Sequence, residues 1–383
     1  MPDTDTIRAF LDDRHVEMAA RIDEFALREI APLPDPASDD DARIQAREIL
    51  AALGQAKWYD PILDQDLRAM CLIREALAAA SPLADAVYAL QALGSTPILL
   101  AGGAALREEW LPAVRSGNAM AAFAMTEPEA GSDVASMTTN ARREGDGYVL
   151  EGVKTFISNA GIADFYTVFA TLDPGKGPKG IGCFVVPADA EGLAFVAPQL
   201  LSAPHPLGTI RFDGCRVPAA SLLGGESEGF KLGLATLDRL RATVAAAACG
   251  MAGRALAEAL AHARERRQFG QPLAHFQLVR DKLARMAIDL AAARLLTYRA
   301  AWKKDRGAER VTVEAAMAKA FATEAAQRIV DDAVQILGGR GVLANHPLDR
   351  LYRSVRALRI YEGTTEIQHL VIASHLVDPP KHD

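Results

Sequence analysis

Phe165-Tyr-Thr-Val-Phe169 is followed at short intervals by Gly182-Cys-Phe-Val-Val186 and Thr209-Ile-Arg-Phe212, and Tyr148-Val-Leu150 precedes it. Short runs of β-branched and aromatic residues separated by Gly and Pro are strand material. Asp146-Gly147, just ahead of Tyr148, reads as a hairpin turn. This texture extends from about Met120 to Glu228 and stops on both sides. Upstream, from Ile7 to about Arg115, apolar residues recur at three and four, as in Ile22, Phe25, Ala26 and Ile30 or Val87, Leu90 and Leu93, which is helical periodicity. Downstream, Phe276, Val279, Leu283, Met286, Leu290 and Ala293 step 3, 4, 3, 4, 3 along a long helix. A second helix is expected from about Val313 to Leu337, burying Met317, Phe321, Ala325, Ile329 and Ala333, with Gly338-Gly339 as its stop. The order is therefore α, β, α, without the regular alternation of a doubly wound sheet. Neither Gly-x-Gly-x-x-Gly nor a P-loop occurs.

The 383 residues are enough for two or three structural units. A net charge of −7 without a basic tail argues against nucleic acid as a partner. Cysteines 71, 183, 215 and 249 are too few and too scattered for a disulfide framework, which points to a reducing compartment. The acidic start, Met1-Pro-Asp-Thr-Asp-Thr, is unlike a secretory signal, and no run of about 18 apolar residues stands out. A cytoplasmic protein with no membrane association is expected.

No metal site is expected, since the eight histidines never form His-x3-His. The absence of Gly-x-Ser-x-Gly removes the simplest acyl-hydrolase reading. Three stretches stand apart from packing sequence, each with a plainer alternative. Phe123-Ala-Met-Thr-Glu-Pro-Glu-Ala-Gly-Ser-Asp133 offers hydroxyls and close backbone approach to a polar ring, or is an ordinary connecting turn. Arg266-Arg-Gln-Phe-Gly-Gln-Pro-Leu-Ala-His-Phe-Gln277 offers a phosphate-matching fork beside an aromatic ring. Its alternative is a loop in which Gly270 caps one helix and Pro272 starts the next. In Arg359-Ile-Tyr-Glu-Gly-Thr-Thr-Glu-Ile-Gln368, Glu362 precedes an expected helix start. Desolvation would make it a base, and otherwise it is a surface acid near a helix N-terminus.

Taken together these stretches resemble the acyl-CoA dehydrogenase family, from about residue 85 to 376. Phe123 to Asp133 looks like the family's first signature, and Gln335-Ile-Leu-Gly-Gly-Arg-Gly341 with Ile360-Tyr-Glu-Gly-Thr364 like its second region. The resemblance implies an α+β multidomain fold: a helical N-terminal domain (1–118), a middle β-barrel (119–228) and a C-terminal four-helix bundle (229–383) that builds a homotetramer, or a homodimer. It implies bound FAD and α,β-dehydrogenation of an acyl-CoA thioester to the 2-enoyl-CoA. Glu362 would abstract the α-proton, the β-hydrogen would leave as hydride to flavin N5, and electrons would pass to an electron-transfer flavoprotein.

The same resemblance assigns Phe123, Met125, Thr126, Gly131, Ser132, Phe156 and Ser158 to the flavin, with Ser158 at its N5/O4 edge. Arg266, Gln268, Phe269 and Gln277 would reach a neighbouring subunit's FAD, and Gln335, Gly339, Thr364 and Glu366 the adenosine half. Ser132, Asp238, Arg241, Tyr361 and Gly363 would line the acyl-CoA site, although Asp238 has the alternative of simply pairing Arg241. Leu240 occupies the place where some members carry the base, and leucine takes no proton. Two departures are visible: Phe156 stands where relatives commonly carry Trp, and Leu200-Leu-Ser-Ala-Pro-His-Pro-Leu-Gly-Thr-Ile210 replaces a Lys-Met-Gly-x-Arg-x-Ser-x-Thr stretch. No Lys or Arg lies between Pro82 and Ala104 to pair a distal carboxylate, so short-chain, branched and aryl-propanoyl thioesters stay open, with Tyr88 and Gln91 as possible pocket residues. The competing readings are an acyl-CoA oxidase using oxygen and a non-dehydrogenating flavoprotein of the same fold.

Overall fold

The structure, a computed structural model, describes residues 2–344 and 346–378. Helices come first: α1 (Asp13–Phe25), α2 (Asp39–Gln55), α3 (Asp60–Leu63), α4 (Leu67–Ala80), α5 (Pro82–Ala101) and α6 (Ala104–Ser116). Strands follow: β1 (Ala121–Ala124), β2 (Asn140–Glu144), β3 (Gly147–Ser158), β4 (Phe165–Thr171), β5 (Ile181–Pro187), β6 (Leu193–Pro198) and β7 (Leu207–Pro218). After α7 (Gly229–Glu265) come the two-residue strands β8 (Arg267–Gln268) and β9 (Gln271–Pro272), then α8 (Gln277–Asp305), α9 (Thr312–Leu337), α10 (Pro347–Leu358) and α11 (Thr365–Val377). The expected α, β, α order is the observed one. The chain divides into two compact units.

One unit holds Pro34–Gln65 and Ala86–Leu237. Its mixed sheet runs β1-β4-β2-β3-β7-β6, and β5 pairs with β4. All seven residues of β4 are buried, because successive side chains point to opposite faces and both faces are covered. Tyr166, Val168 and Ala170 join one core with Phe184, Ile210 and Phe212. Phe165 and Phe169 join the other, with Ile98, Val185 and Leu232. The hairpin at the start of β3 is real but one residue earlier than the sequence implies. Glu144 pairs with Gly147, so the loop is Gly145-Asp146. Only its first residue has positive φ, the II′ pattern that favours Gly there. In the same unit Gln91 is fully buried and spent on backbone: its Nε2 donates to the Ala119 carbonyl at 2.9 Å and its Oε1 accepts from the Ala121 amide at 2.7 Å. It is thus a strut, not a substrate contact, and Tyr88 is buried against Tyr59 with ring centroids 5.7 Å apart.

The other unit, mostly helical, holds the described residues up to Leu33, Asp66–Asp85 and those from Asp238 onward. Here α9 packs against α8, α10 and α11, and α4 packs against α1 and α8. The stretch Val244-Ala-Ala-Ala-Ala-Cys-Gly250 of α7 is buried and small, which lets backbones approach closely. A Cβ on Gly250 would sit 2.1 Å from the Glu75 carbonyl oxygen of α4. The Asp305 carboxylate at the end of α8 accepts from the Leu67 and Arg68 amides, satisfying orphan donors at the start of α4. Helix α9 departs from the single stripe expected of it. Met317 and Phe321 are only half-buried, while Ala316, Lys319, Thr323 and Val330 are buried alongside Ala325, Ile329 and Ala333. Two helices, α5 and α7, reach the length and mean hydropathy of a membrane span, but 83% and 61% of their most apolar windows are buried within the protein.

Candidate active site

In the helical unit, α10 and α11 are joined by a turn in which Glu362 (φ 54°) and Gly363 (φ 91°) are both left-handed. A left-handed glutamate costs on the order of 1–3 kcal/mol and persists only where its surroundings over-determine it. Here they do. Lys319 Nζ donates to the Gly363 carbonyl at 2.6 Å, and Gln368 Nε2 donates to the same oxygen at 3.0 Å. The Glu362 carbonyl accepts longer bonds, at 3.4 Å each, from Arg241 Nε and Gln368 Nε2. Thr364 caps α11 by accepting from the Ile367 amide at 3.3 Å. Glu366 is exposed in the first turn of that helix, where the dipole favours an acid.

The Glu362 carboxylate is half-buried, and its Oε2 is buried without a hydrogen-bond partner. Desolvation raises its pKa above the usual carboxylate range, while the cations of Arg74, Lys319 and Arg241 hold the rise in check. Arg74, itself buried, is fixed by a fork to Asp85 (2.7 and 2.9 Å), with its third arm on Thr243 Oγ1 at 2.8 Å. Lys319 is fully buried, and burial lowers its ammonium to about 8. Burial also pushes the Tyr361 phenol up. A carboxylate whose pKa is raised by desolvation, with one unpartnered oxygen and the cations of Arg74, Lys319 and Arg241 around it, is equipped to take a proton beside a developing anion. Asp238 lies 3.5 Å from Arg241, a loose pair, and Leu240 is buried.

In the sheet-containing unit the first signature follows β1. Glu127 and Ala130 exchange backbone hydrogen bonds, closing the Pro128-Glu129 turn. The buried Glu127 carboxylate gathers the Thr138 and Thr139 amides and Lys154 Nζ at 2.7–2.9 Å, which holds it at about 2. Lys154 also donates to the Met125 carbonyl at 3.0 Å, so one buried ion pair fixes the backbone of Met125 and Thr126. Phe123 packs on Phe169, Met125 is buried, Thr126 is half-exposed, and Gly131 and Ser132 are exposed. Around Gly131 nothing lies within 4 Å of where a Cβ would stand.

Near its end β3 slips register between Lys154 and Ile157, and Phe156 takes φ 54°. This turns its ring outward, 60% exposed, while its amide donates to Gln199 Oε1 at 2.7 Å. The uncovered Phe156 ring, the half-exposed Thr126 and exposed Ser132 hydroxyls and the open space at Gly131 are groups that a polar ring could approach.

Of the two readings of the Arg266 to Gln277 stretch, the plain loop capped by Gly270 is not what forms. Arg267–Gln268 and Gln271–Pro272 pair as a hairpin whose turn residues, Phe269 (φ 47°) and Gly270 (φ 80°), are both left-handed, the I′ pattern. Gly270 is therefore a turn residue and not a helix cap, and a 3-10 turn separates Pro272 from α8. Phe269 is 93% exposed in this strained position. Arg266, Gln268, Gln277, Gln335 and Gly339 are also exposed on this chain. Sequence reasoning missed Arg74, Lys319, Gln368, Glu127, Lys154 and Gln199. The visible signal for one of them was a lone lysine inside Ala315-Ala-Met-Ala-Lys-Ala-Phe-Ala322, where an exposed helix face would carry more charge. Among the described residues no group of three or more His, Cys, Asp or Glu is placed to hold a metal ion.

Three models of the acyl-CoA dehydrogenase family match in succession: its N-terminal domain at residues 12–118, its middle domain at 122–215 and its C-terminal domain at 227–377. The chain is 38% identical over 379 residues to a probable acyl-CoA dehydrogenase of Mycobacterium leprae, covering 96% of each chain. It is 39% identical over 378 residues to a 3-(aryl)acrylate reductase of Clostridium sporogenes, covering 96% of this chain and all of the relative. The solved butyryl-CoA dehydrogenase of Megasphaera elsdenii superimposes with a TM-score of 0.89 at 34% identity, covering 96% of this chain and 99% of that one. The chain belongs to the acyl-CoA dehydrogenase family, FAD-binding oxidoreductases acting on CH–CH donors.

Proposed function

We propose that the protein removes the α and β hydrogens of an acyl-CoA thioester, with Glu362 as the base. The observation that carries this reading is the desolvated, left-handed Glu362, whose Oε2 lacks a partner and whose charge environment is set by Arg74, Lys319 and Arg241. Its carboxylate takes the α-proton. Its backbone amide, presented by the same turn, donates to the thioester carbonyl as negative charge develops there. Tyr361, Gly363, Asp238 and Arg241 line the acyl-CoA site. Phe123, Met125, Thr126, Gly131, Ser132, Phe156 and Ser158 hold the flavin ring, with the Phe156 ring on its face and the Ser158 hydroxyl at its N5/O4 edge. FAD, when bound there, supplies the two-electron acceptor for the β-hydrogen.

The exposed Phe269 hairpin, with Arg266, Gln268 and Gln277, serves the FAD of a second copy in a homotetramer, while Gln335, Gly339, Thr364 and Glu366 serve the adenosine half. An electron-transfer flavoprotein takes the electrons, and the four buried free cysteines suit a reducing cytoplasm. The helix α5, with no Lys or Arg, favours a thioester without a distal carboxylate, of short-chain, branched or aryl-propanoyl type. The test is a visible spectrum followed by anaerobic titration with butyryl-, isobutyryl-, glutaryl- and arylpropanoyl-CoA. A flavin spectrum bleached by a neutral acyl-CoA is expected, and oxygen consumption no faster than dye reduction. A colourless chain that takes up no FAD overturns the proposal.

A further inference from the structure

Gln199 and the stretch 200–210 that follows it, where this chain departs from the motif of its relatives, are in close contact with the strand end that carries Phe156 and Ser158. Gln199 Oε1 accepts the Phe156 amide, and its Nε2 donates to Thr155 Oγ1 at 2.9 Å. The Pro206 carbonyl accepts the Asn159 amide at 2.9 Å. Between these two, His205 Nε2 lies 2.8 Å from Ser158 Oγ, a hydrogen bond whose direction follows the imidazole tautomer. Four consecutive residues of the strand, 155 to 158, thus have two side chains and one amide engaged by this one segment, and the next amide as well.

We propose that His205 is a positioning residue for the flavin: through its hydrogen bond to Ser158 it fixes the rotamer and proton direction of the hydroxyl that meets the flavin edge. This rests on the assignment of Ser158 to that edge. A serine hydroxyl has one proton to give, so a partner on one side decides whether the other side donates or accepts. The imidazole is suited to be a constant partner. Burial and the neighbouring Arg43 guanidinium hold it at about 4, outweighing Asp39, so it stays neutral at ordinary pH. Arg43 is in turn anchored on the Leu207 carbonyl at 3.0 Å, and also donates to the Ala160 carbonyl.

The test is a double-mutant cycle on the holoenzyme, Ser158→Ala, His205→Leu and both together, with His205→Gln as the variant that keeps a hydrogen-bonding group. FAD affinity is read from the fluorescence of flavin released on dilution, and the midpoint potential of bound flavin by dye equilibration without substrate. A neutral hydrogen bond corresponds to roughly a 2- to 10-fold change in affinity. We expect each single variant to lose affinity in that range and to shift the potential, the double variant to lose no more than Ser158→Ala alone, and His205→Gln to lie closer to the native protein. If Ser158→Ala weakens FAD while His205→Leu leaves affinity and potential unchanged, or the losses simply multiply, the role of His205 is overturned and the flavin site stands. If Ser158→Ala itself changes neither, Ser158 does not face the flavin, and both assignments fall. Should His205→Leu fail to fold, the cycle is run with His205→Gln, whose effect must then vanish in the Ser158→Ala background.

Discussion

Lys319→Met separates function from stability in a way the geometry makes quantitative. Holding Lys319 charged with its pKa lowered from 10.5 to about 8 costs about 3 kcal/mol at neutral pH, at about 1.4 kcal/mol per pH unit. Its bond to the Gly363 carbonyl returns about 1.5–3 kcal/mol, the usual worth of a hydrogen bond to a charged group. The two nearly cancel, and Gln368 still donates to that carbonyl in the variant. We therefore expect Lys319→Met to change unfolding free energy by no more than about 1.5 kcal/mol, although the side chain is fully buried.

The effect on Glu362 has no such compensation. Lys319 lowers the Glu362 pKa, so its removal raises it, and the acid limb of kcat/KM moves to higher pH while kcat falls as the turn loosens. Linkage has a definite sign. The cost of the charged lysine is present below pH 8 and disappears as pH rises from 8 through 10.5, so the native protein gains stability relative to the variant across that window. Urea unfolding at pH 7 and pH 10 and a kcat/KM profile provide the readouts. A loss of more than about 3 kcal/mol with an unmoved acid limb would make Lys319 a structural strut and refute the reasoning.

Glu127→Gln leaves the buried Lys154 without its counter-charge and should cost about 3–5 kcal/mol, releasing FAD at concentrations where the native protein retains it; retention of flavin with unchanged melting would contradict this. In the native protein the Glu127 contribution, with the pKa lowered from 4.5 to about 2, is complete above pH 4.5 and is lost as pH falls toward 2, so flavin loss on acidification should begin in that window. Gly250→Ala forces a Cβ to within 2.1 Å of the Glu75 backbone oxygen and should destabilise by about 3 kcal/mol or more, measured by chemical unfolding; a cost under 1 kcal/mol would mean that α4 and α7 part easily there.

The order of elements was legible because periodicity is a direct imprint of burial. The runs at Phe165 and Gly182 are strands buried on both faces, and a continuous apolar run is the form such strands take. Turn details were less legible. The β2–β3 loop moved by one residue, and the Phe269-Gly270 pair proved to be a hairpin turn, because backbone conformation at a single residue depends on what its neighbours pair with. Glu362 could be picked out from its motif, but what tunes it could not. Arg74 is 288 residues away along the chain (362 − 74 = 288) and Lys319 is 43 away (362 − 319 = 43), and both lie in helices whose pattern marks them only as charges inside apolar runs. Gln91 shows the opposite error: a polar residue that invited a substrate role is consumed by backbone groups.

The most direct test of the account is rapid anaerobic mixing of FAD-loaded native protein and Glu362→Gln with a neutral acyl-CoA that bleaches the native flavin. Glu362→Gln should keep its flavin spectrum and bind the thioester, while bleaching slows by at least about 10²-fold, the lower range for loss of a positioned general base. Bleaching at the native rate in Glu362→Gln would contradict the assignment of Glu362 as the base.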